Sequence, residues 1–472
     1  MAFIDGSVIS IATPAIRADL GASLADAQWI ANGYMLFLAS LLLIGGAAGD
    51  RFGLRKVFSI GIVLFVVASL VCAIAPTPVL LILARAAQGV GAAFMVPGSL
   101  AIIAKAYPRE ERGKAIGVWA AASSLTTILG PIIGGFVLTW FGDWSWRLVF
   151  AINLPLGGLA LALLWLKVPA DAAAGERRLD FVGGVLATAG LLLVALGLTG
   201  DDSVPPLRQV LLYGGAGLVL LVAFLVWEGR SKAPMMPLRL FANVAFSGAN
   251  GLTFALYFSL AAIMFYLPMV LIAGWGVTPA EVAIALLPLG VALTVLSPIA
   301  GRLADRFGPA PLIAGGSVLV ALAFAGLGLT APLQNLWFAV VPLMVLFGIG
   351  MGFVVSPLST AVMTGVEDGD TGVASGVNNA VARVAGLLAV ATMGAVVALV
   401  FAEALGNDAG PAVAFGMAPK IPLAAAAEAA RVAATNAAFA AVAYITAGLS
   451  LVSALTAWLT LEKKLETSHR PN

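Results

Sequence analysis

The stretch GGAAGDRFGLRK at 45–56 returns in altered form as AGRLADRFGPAP at 300–311. Aligning Gly46 with Gly301 brings Asp50 onto Asp305, Arg51 onto Arg306, Phe52 onto Phe307 and Gly53 onto Gly308. Each copy is a short charged loop between two long apolar runs, and two such loops at equivalent places mark an internal duplication. The chemistry suits a mechanical part. A carboxylate such as Asp50 caps a neighbouring helix N-terminus, and the Arg51, Arg55, Lys56 and Arg306 cations pair with acids or lipid phosphates. Gly46 and Gly53 permit close approach and a tight turn. The alternative is a positive loop that only fixes orientation, which two matched copies disfavour.

Outward from these loops the chain is made for lipid. Of 472 residues 61% are hydrophobic and 10% charged, with a mean hydropathy of +1.05, against roughly 25% charged in a soluble domain. A helix needs about 20 apolar residues to cross a hydrocarbon core ~30 Å thick. Fourteen such runs are expected, at roughly 1–16, 28–49, 57–75, 79–103, 113–140, 148–167, 181–199, 208–227, 244–267, 280–300, 311–330, 336–360, 372–401 and 437–460. They are continuously apolar, unlike the alternating strands of a barrel.

Orientation follows from the excess of Lys and Arg in cytoplasmic loops. With the N-terminus inside, eighteen of the 25 cations fall on inner segments, five (Arg17, Arg147, Arg208, Lys420, Arg431) outside, and Arg85 and Arg383 within helices. The tryptophans at 29, 140, 144, 146, 275 and 337 then sit at outer helix ends, as interfacial aromatics. The net charge of +2 gives no nucleic-acid face, the single Cys72 excludes a disulfide frame and a metal cluster, and the one histidine, His469, lies in the tail. No cofactor is expected, and no phosphate-binding Gly-Lys-Ser/Thr loop points to ATP.

The duplicated loops divide the chain as six spans, two, and six: an N-terminal half at 1–168, a two-helix insertion with its linkers at 169–243, and a C-terminal half at 244–472. Parallel halves of six are a transporter architecture with a site near the midplane. An enzyme has no need of the duplication. The outer segment 402–436 is too charged for another span, and its alanine-rich run at 424–432 reads as a helix lying on the outer surface.

These residues resemble the major facilitator superfamily. LARAAQGVGAA at 83–93 is similar to its Arg-x-x-Gln-Gly-x-Gly motif, through Arg85, Gln88, Gly89 and Gly91. Gly117, with Gly130, Pro131, Gly134 and Gly135 of GPIIGG, resembles the antiporter motif, although Thr126 stands where that motif has another glycine. IDGSVISIATPAI at 4–16 and WSWRLVFAINLPLG at 144–157 are similar to segments of the fourteen-span drug:proton antiporter branch, Asp5 and Pro14 fitting and Ile4, Ser7, Ser10 and Thr13 departing. The resemblance implies an all-α integral membrane protein of major facilitator fold with fourteen helices arranged 6+2+6.

Ionisable groups inside membrane helices mark function by default. Asp5 is the expected proton carrier and Arg85 its electrostatic partner. In the resembling branch this aspartate lies well inside span one. Here Met1 to Ile16 spans only about 24 Å as a helix, so a start upstream of Met1 is expected. The Gly-Pro cluster of span five is expected to serve bending and gating. The substrate cavity is assigned to Gln28, Asn32, Tyr34, Asn250, Tyr257, Tyr266 and Arg383, polar groups among apolar walls.

The expected function is proton-coupled export of lipophilic or cationic toxic compounds across a bacterial inner membrane, with both termini cytoplasmic. Its partners are a small-molecule substrate, protons and lipids, with a periplasmic adaptor protein as a candidate and no nucleic acid. The alternatives are an exporter dedicated to one endogenous metabolite, peptide or siderophore, and a transport-inactive membrane sensor.

Overall fold

The computed structural model describes residues 1–169, 179–200, 206–367, 370–406, 413–419 and 421–461, so Arg177, Arg178, Lys420, Lys463, Lys464, His469 and Arg470 lie outside the described residues, as do the surroundings of Gly117. The first half contains α1 (Ala2–Leu20), α2 (Leu24–Phe52), α3 (Leu54–Ala73), α4 (Pro78–Ala106), α5 (Arg109–Phe141), α6 (Trp146–Ala151) and α7 (Asn153–Lys167). Next come α8 (Phe181–Leu198), α9 (Pro206–Gln209) and α10 (Gly215–Arg230), the last two joined by a π-helical turn. The second half contains α11 (Val244–Met269), α12 (Pro279–Phe307), α13 (Pro309–Thr330), α14 (Val341–Thr364), α15 (Thr371–Leu405) and α16 (Ala425–Thr460).

Twelve helical segments of the described residues are long and apolar enough to cross a membrane, not the fourteen expected. The shortfall falls on spans one and five. Helix α1 carries Asp5, Arg17 and Asp19 within its 19 residues, and in α5 the apolar stretch among the described residues is the shorter Leu125–Phe141.

The repeat runs deeper than the loops. The offset that carries Gly46 onto Gly301 also carries Ser23 onto Thr278 and Asp26 onto Glu281, and both pairs form capping boxes that start α2 and α12. Each satisfies orphan N–H groups of its helix. The same offset carries Gly53 (φ 94°) onto Gly308 (φ 81°), where each chain reversal needs a conformation that L side chains rarely adopt. It carries Gly61 onto Gly316 as well. A Cβ on Gly61 would lie 2.9 Å from the Gly91 carbonyl oxygen, and one on Gly316 2.6 Å from that of Gly350, so α3–α4 and α13–α14 pack backbone to backbone.

Helix pairings repeat too: α2 with α4 and α12 with α14, α1 with α5 and α11 with α15. The halves meet along α5–α12 and the equivalent α2–α15, with α1 against α11. The inserted α8 and α10 pack on each other, and α8 lies against α2 and α15, beside one seam.

Two expectations change. The alanine-rich run after 424 is not a separate surface helix but the first turns of α16, continuous through Thr460. Alanine is the best helix former, and the buried Arg431 anchors these turns by donating from Nη1 to the Ala273 carbonyl (3.0 Å) and from Nη2 to that of Gly274 (3.2 Å). Trp146 is fully buried rather than interfacial, its indole N–H donating to Asp19 Oδ2 at 2.9 Å.

Candidate functional site

Arg85 and Gln88 stand three residues apart on one face of α4. Gly89 lets α4 approach the backbone at Tyr34 so closely that a Cβ there would collide with the Tyr34 carbonyl. This places the Arg85 guanidinium 4.4 Å above the Tyr34 ring, a cation–π contact in a dry setting. Its Nη1 pairs with Asp5 Oδ2 and donates to Gln88 Oε1 (2.9 Å), while Nε donates to the Ile30 carbonyl (3.0 Å). The other Asp5 oxygen accepts from Gln88 Nε2 and from Asn153 Nδ2, each at 3.3 Å. Ser69 Oγ accepts from Gln88 at 2.7 Å.

Asp5 and Arg85 are each about 1% exposed. Buried charges persist when paired and fully hydrogen-bonded, and removing one partner typically costs about 3–5 kcal/mol. Here five helices, α1, α2, α3, α4 and α7, supply the partners.

Arg85 and Tyr34 also line a cavity of about 560 Å³ between the halves. Asn32, Tyr257, Asn378 and Arg383 supply polar groups to a wall otherwise rich in Leu, Met and Phe, and Pro131 adds to it from α5. Three groups of hydrogen bonds tie the halves together at the end opposite the repeated loops. Arg17, fully buried, donates from Nη1 to the Phe415 carbonyl at 2.6 Å and from Nε to that of Ala22 at 3.2 Å. Gln28 Nε2 donates to the Val390 carbonyl and to Tyr266 Oη (3.2 Å), while Tyr266 Oη donates to Val390 (2.7 Å). Thr139 Oγ1 accepts from the Ala280 N–H at 3.0 Å. Toward the loops the cavity continues past Val96, Ser359, Met363 and Asn379.

The Major Facilitator Superfamily profile matches residues 1–390. The chain belongs to the major facilitator superfamily.

Its relatives in the superfamily include an uncharacterised MFS-type transporter of Mycobacterium tuberculosis, 32% identical over 399 residues, which are 84% of this chain and 68% of that one. The tetracenomycin C resistance and export protein of Streptomyces glaucescens is 32% identical over 415 residues, 84% of this chain and 74% of that one. A probable actinorhodin transporter of Streptomyces coelicolor is 34% identical over 407 residues, 84% and 70% of the two chains. Among solved structures, a bacterial homologue of the human lysosomal transporter Spinster shares the fold with a TM-score of 0.71 at 17% identity, over 97% of this chain and 93% of that one.

Within this major facilitator fold the sequence-derived residues separate. Asp5 and Arg85 come together, and Asn32, Tyr34, Tyr257 and Arg383 line the cavity. Gln28, Tyr266 and Asn250 do not. Gln28 and Tyr266 spend their polar groups on the closed end, and Asn250 is held between α11 and α15, donating to the Phe246 carbonyl (2.8 Å) and accepting from Asn378 (3.2 Å).

The glycines of span five serve two faces. Gly130 and Gly134 lie on α1, against Ile4 and Val8, whereas a Cβ on Gly135 would lie 2.6 Å from the Pro279 carbonyl of α12, across the seam. In the repeated loops Gly46 rests on Pro97, Gly301 on Ser356, Arg51 over Phe52, Arg306 over Phe307, and Arg55 over Trp165 with Nη2 donating to its carbonyl at 3.3 Å. Lys56 is exposed, and Asp50 and Asp305 both have partners.

Sequence reasoning missed Asn153 and Arg17. An amide inside the apolar run FAINLPLG was a signal for the first. Arg17 carried none, because its position at a helix end reads as an ordinary outer charge.

Proposed function

We propose that this protein is a proton-coupled antiporter that exports lipophilic, drug-like compounds across a bacterial cytoplasmic membrane by alternating access. The observation that carries the reading is the buried Asp5–Arg85 pair, whose arginine lines an apolar cavity between two repeated halves. A proton on Asp5 would neutralise the carboxylate, free Arg85 and weaken the network that holds α1 to α4 and α7. Relatives named for resistance and export support the cargo class, including a multidrug resistance protein B homologue of Mycobacterium tuberculosis, 33% identical over 366 residues.

In this reading α1 and α5 cross with the other twelve segments, in the arrangement of the fourteen-span branch. The polar cost of α1 is met internally: Asp5 pairs with Arg85, Arg17 with backbone carbonyls, and Asp19 with Arg147. Halves 1–168 and 244–472 rock about the cavity. With the repeated loops cytoplasmic, as their positive charge favours, the cavity faces inward and the Arg17, Gln28 and Thr139 contacts form the outer gate.

One proton falling through ~100 mV releases about 2.3 kcal/mol, which sustains roughly a fiftyfold gradient of a neutral solute at about 1.4 kcal/mol per decade. In acidified inverted vesicles, substrate addition should release protons in the wild type and not in Asp5→Asn. Release unchanged in the variant would move the proton site elsewhere.

A second reading, an exporter dedicated to one compound, draws on relatives named for a single substance, the tetracenomycin C exporter and the actinorhodin transporter. A profile confined to one chemical series would select it.

A further inference from the structure

The cavity wall contains two arginines, Arg85 and Arg383, and no Asp or Glu among the described residues. Asp5 occupies Arg85. Arg383 makes no ion pair or hydrogen bond among the described residues. It stands about twelve residues into α15, roughly 18 Å along the helix from Thr371, too deep for its head to reach the interface easily. An unpaired guanidinium at that depth is costly and is kept where it faces a water-filled path or a ligand.

Asn32, on α2, which packs against α15, is 0% exposed with neither amide atom partnered. Such buried polar atoms normally find partners, so two on one side chain point to something that enters the cavity. Tyr34 and Tyr257 line the same cavity as Arg383, and Met264, Phe265 and Met351 supply apolar surface in its wall.

Taking the export reading as its basis, we propose that Arg383 and Asn32 form the recognition point for an acidic group on the exported compound, so that the cargo is a lipophilic anion. A planar carboxylate matches the donor fork of a guanidinium, and its second oxygen or a neighbouring carbonyl accepts from the amide. The apolar wall takes the body of the molecule. A cation in the same space would meet the unpaired Arg383 guanidinium, with the one nearby acid, Asp5, already taken by Arg85. An exported anion and an imported proton also move charge in the same sense, so transport of the acid responds more steeply to membrane potential than transport of a neutral analogue.

The test uses three compounds with one lipophilic aromatic body, bearing a carboxylate, a primary amide or a primary amine. Transport is followed in proteoliposomes holding the full chain, as wild type, Arg383→Gln and Arg383→Lys. The wild type should be half-saturated by the acid at a concentration at least about tenfold below that for the amide, the worth of one charge-assisted contact. Arg383→Gln should bring the two within about twofold of each other, and Arg383→Lys should restore part of the preference. Thermal stabilisation of the detergent-solubilised wild type by acid over amide gives the same ranking without any variant.

Transport of amide or amine in preference to acid, or an acid preference untouched by Arg383→Gln, overturns the proposal and leaves export standing. Transport of none of the three with no ligand stabilisation overturns this assignment. Failure of a broad panel of lipophilic compounds to release protons is the separate result that removes the export reading itself.

Discussion

Asp5 of α1 and Arg85 of α4, 80 residues apart in sequence, form a buried ion pair, each partner about 1% exposed. The first prediction concerns its energy. Asp5→Asn leaves a buried guanidinium without its counter-charge and should cost about 3–5 kcal/mol. Asp5→Asn combined with Arg85→Gln removes both charges and should cost clearly less than the two single changes summed, because the partners act as one unit. Denaturant unfolding in detergent of the two single variants and the double variant reads the coupling, and simple additivity would mean that the pair does not interact.

The second concerns the closed end. Arg17→Ala removes the charged bonds to the Phe415 and Ala22 carbonyls. Hydrogen bonds to charged groups are worth about 1.5–3 kcal/mol, so the ratio of open to closed at this end should rise roughly ten- to hundredfold. Spin labels on cysteines placed at the exposed Ala18 and Gln334 should report a longer separation in the variant. Cys72 is fully buried and should not take label in the folded protein.

The third separates a packing glycine from a permissive one. A Cβ on Gly135 would meet the Pro279 carbonyl and the Ala283 Cβ at 2.6 and 2.8 Å, whereas one on Gly158 would meet nothing within 4 Å. Gly135→Val should hold α5 and α12 apart and reduce transport by more than about tenfold. Gly158→Val should transport normally, and equal activity of the two would remove the seam from the mechanism.

The fourth addresses the repeated turns. Gly53 (φ 94°, ψ 129°) and Gly308 (φ 81°, ψ 160°) hold equivalent conformations. Alanine at either site should cost on the order of 1–3 kcal/mol of backbone strain. Both variants should melt lower than wild type by a similar amount, and an unchanged melting temperature in either would show that its loop relaxes freely.

How far the sequence reaches is clear from particular residues. Residues 45–56 and 300–311, matched with long apolar runs, were enough for a helical membrane protein built from repeats, because hydropathy and duplication are written along the chain in one dimension. Asp5 and Arg85 were legible for the same reason: a charge inside an apolar run is visible without knowing its neighbours. Among the described residues the fourteen expected spans reduce to twelve by length and composition, and α1 drops out because the expectation treated its three charges as tolerable without asking how they are paired.

Depth and rotation within the bundle were not legible. Gln28 and Asn32 sit one turn apart on the same face of α2, yet the first is spent on the Val390 carbonyl at the closed end and the second keeps both amide atoms unpartnered in the cavity wall. Arg17 and Arg431 read as outer surface charges and are buried ties to backbone carbonyls. The sequence by itself determined which side chains are charged or polar in an apolar setting. Only the tertiary structure decided which of them meet, because a partner such as Asn153 for Asp5 is chosen by the packing of helices that are distant along the chain.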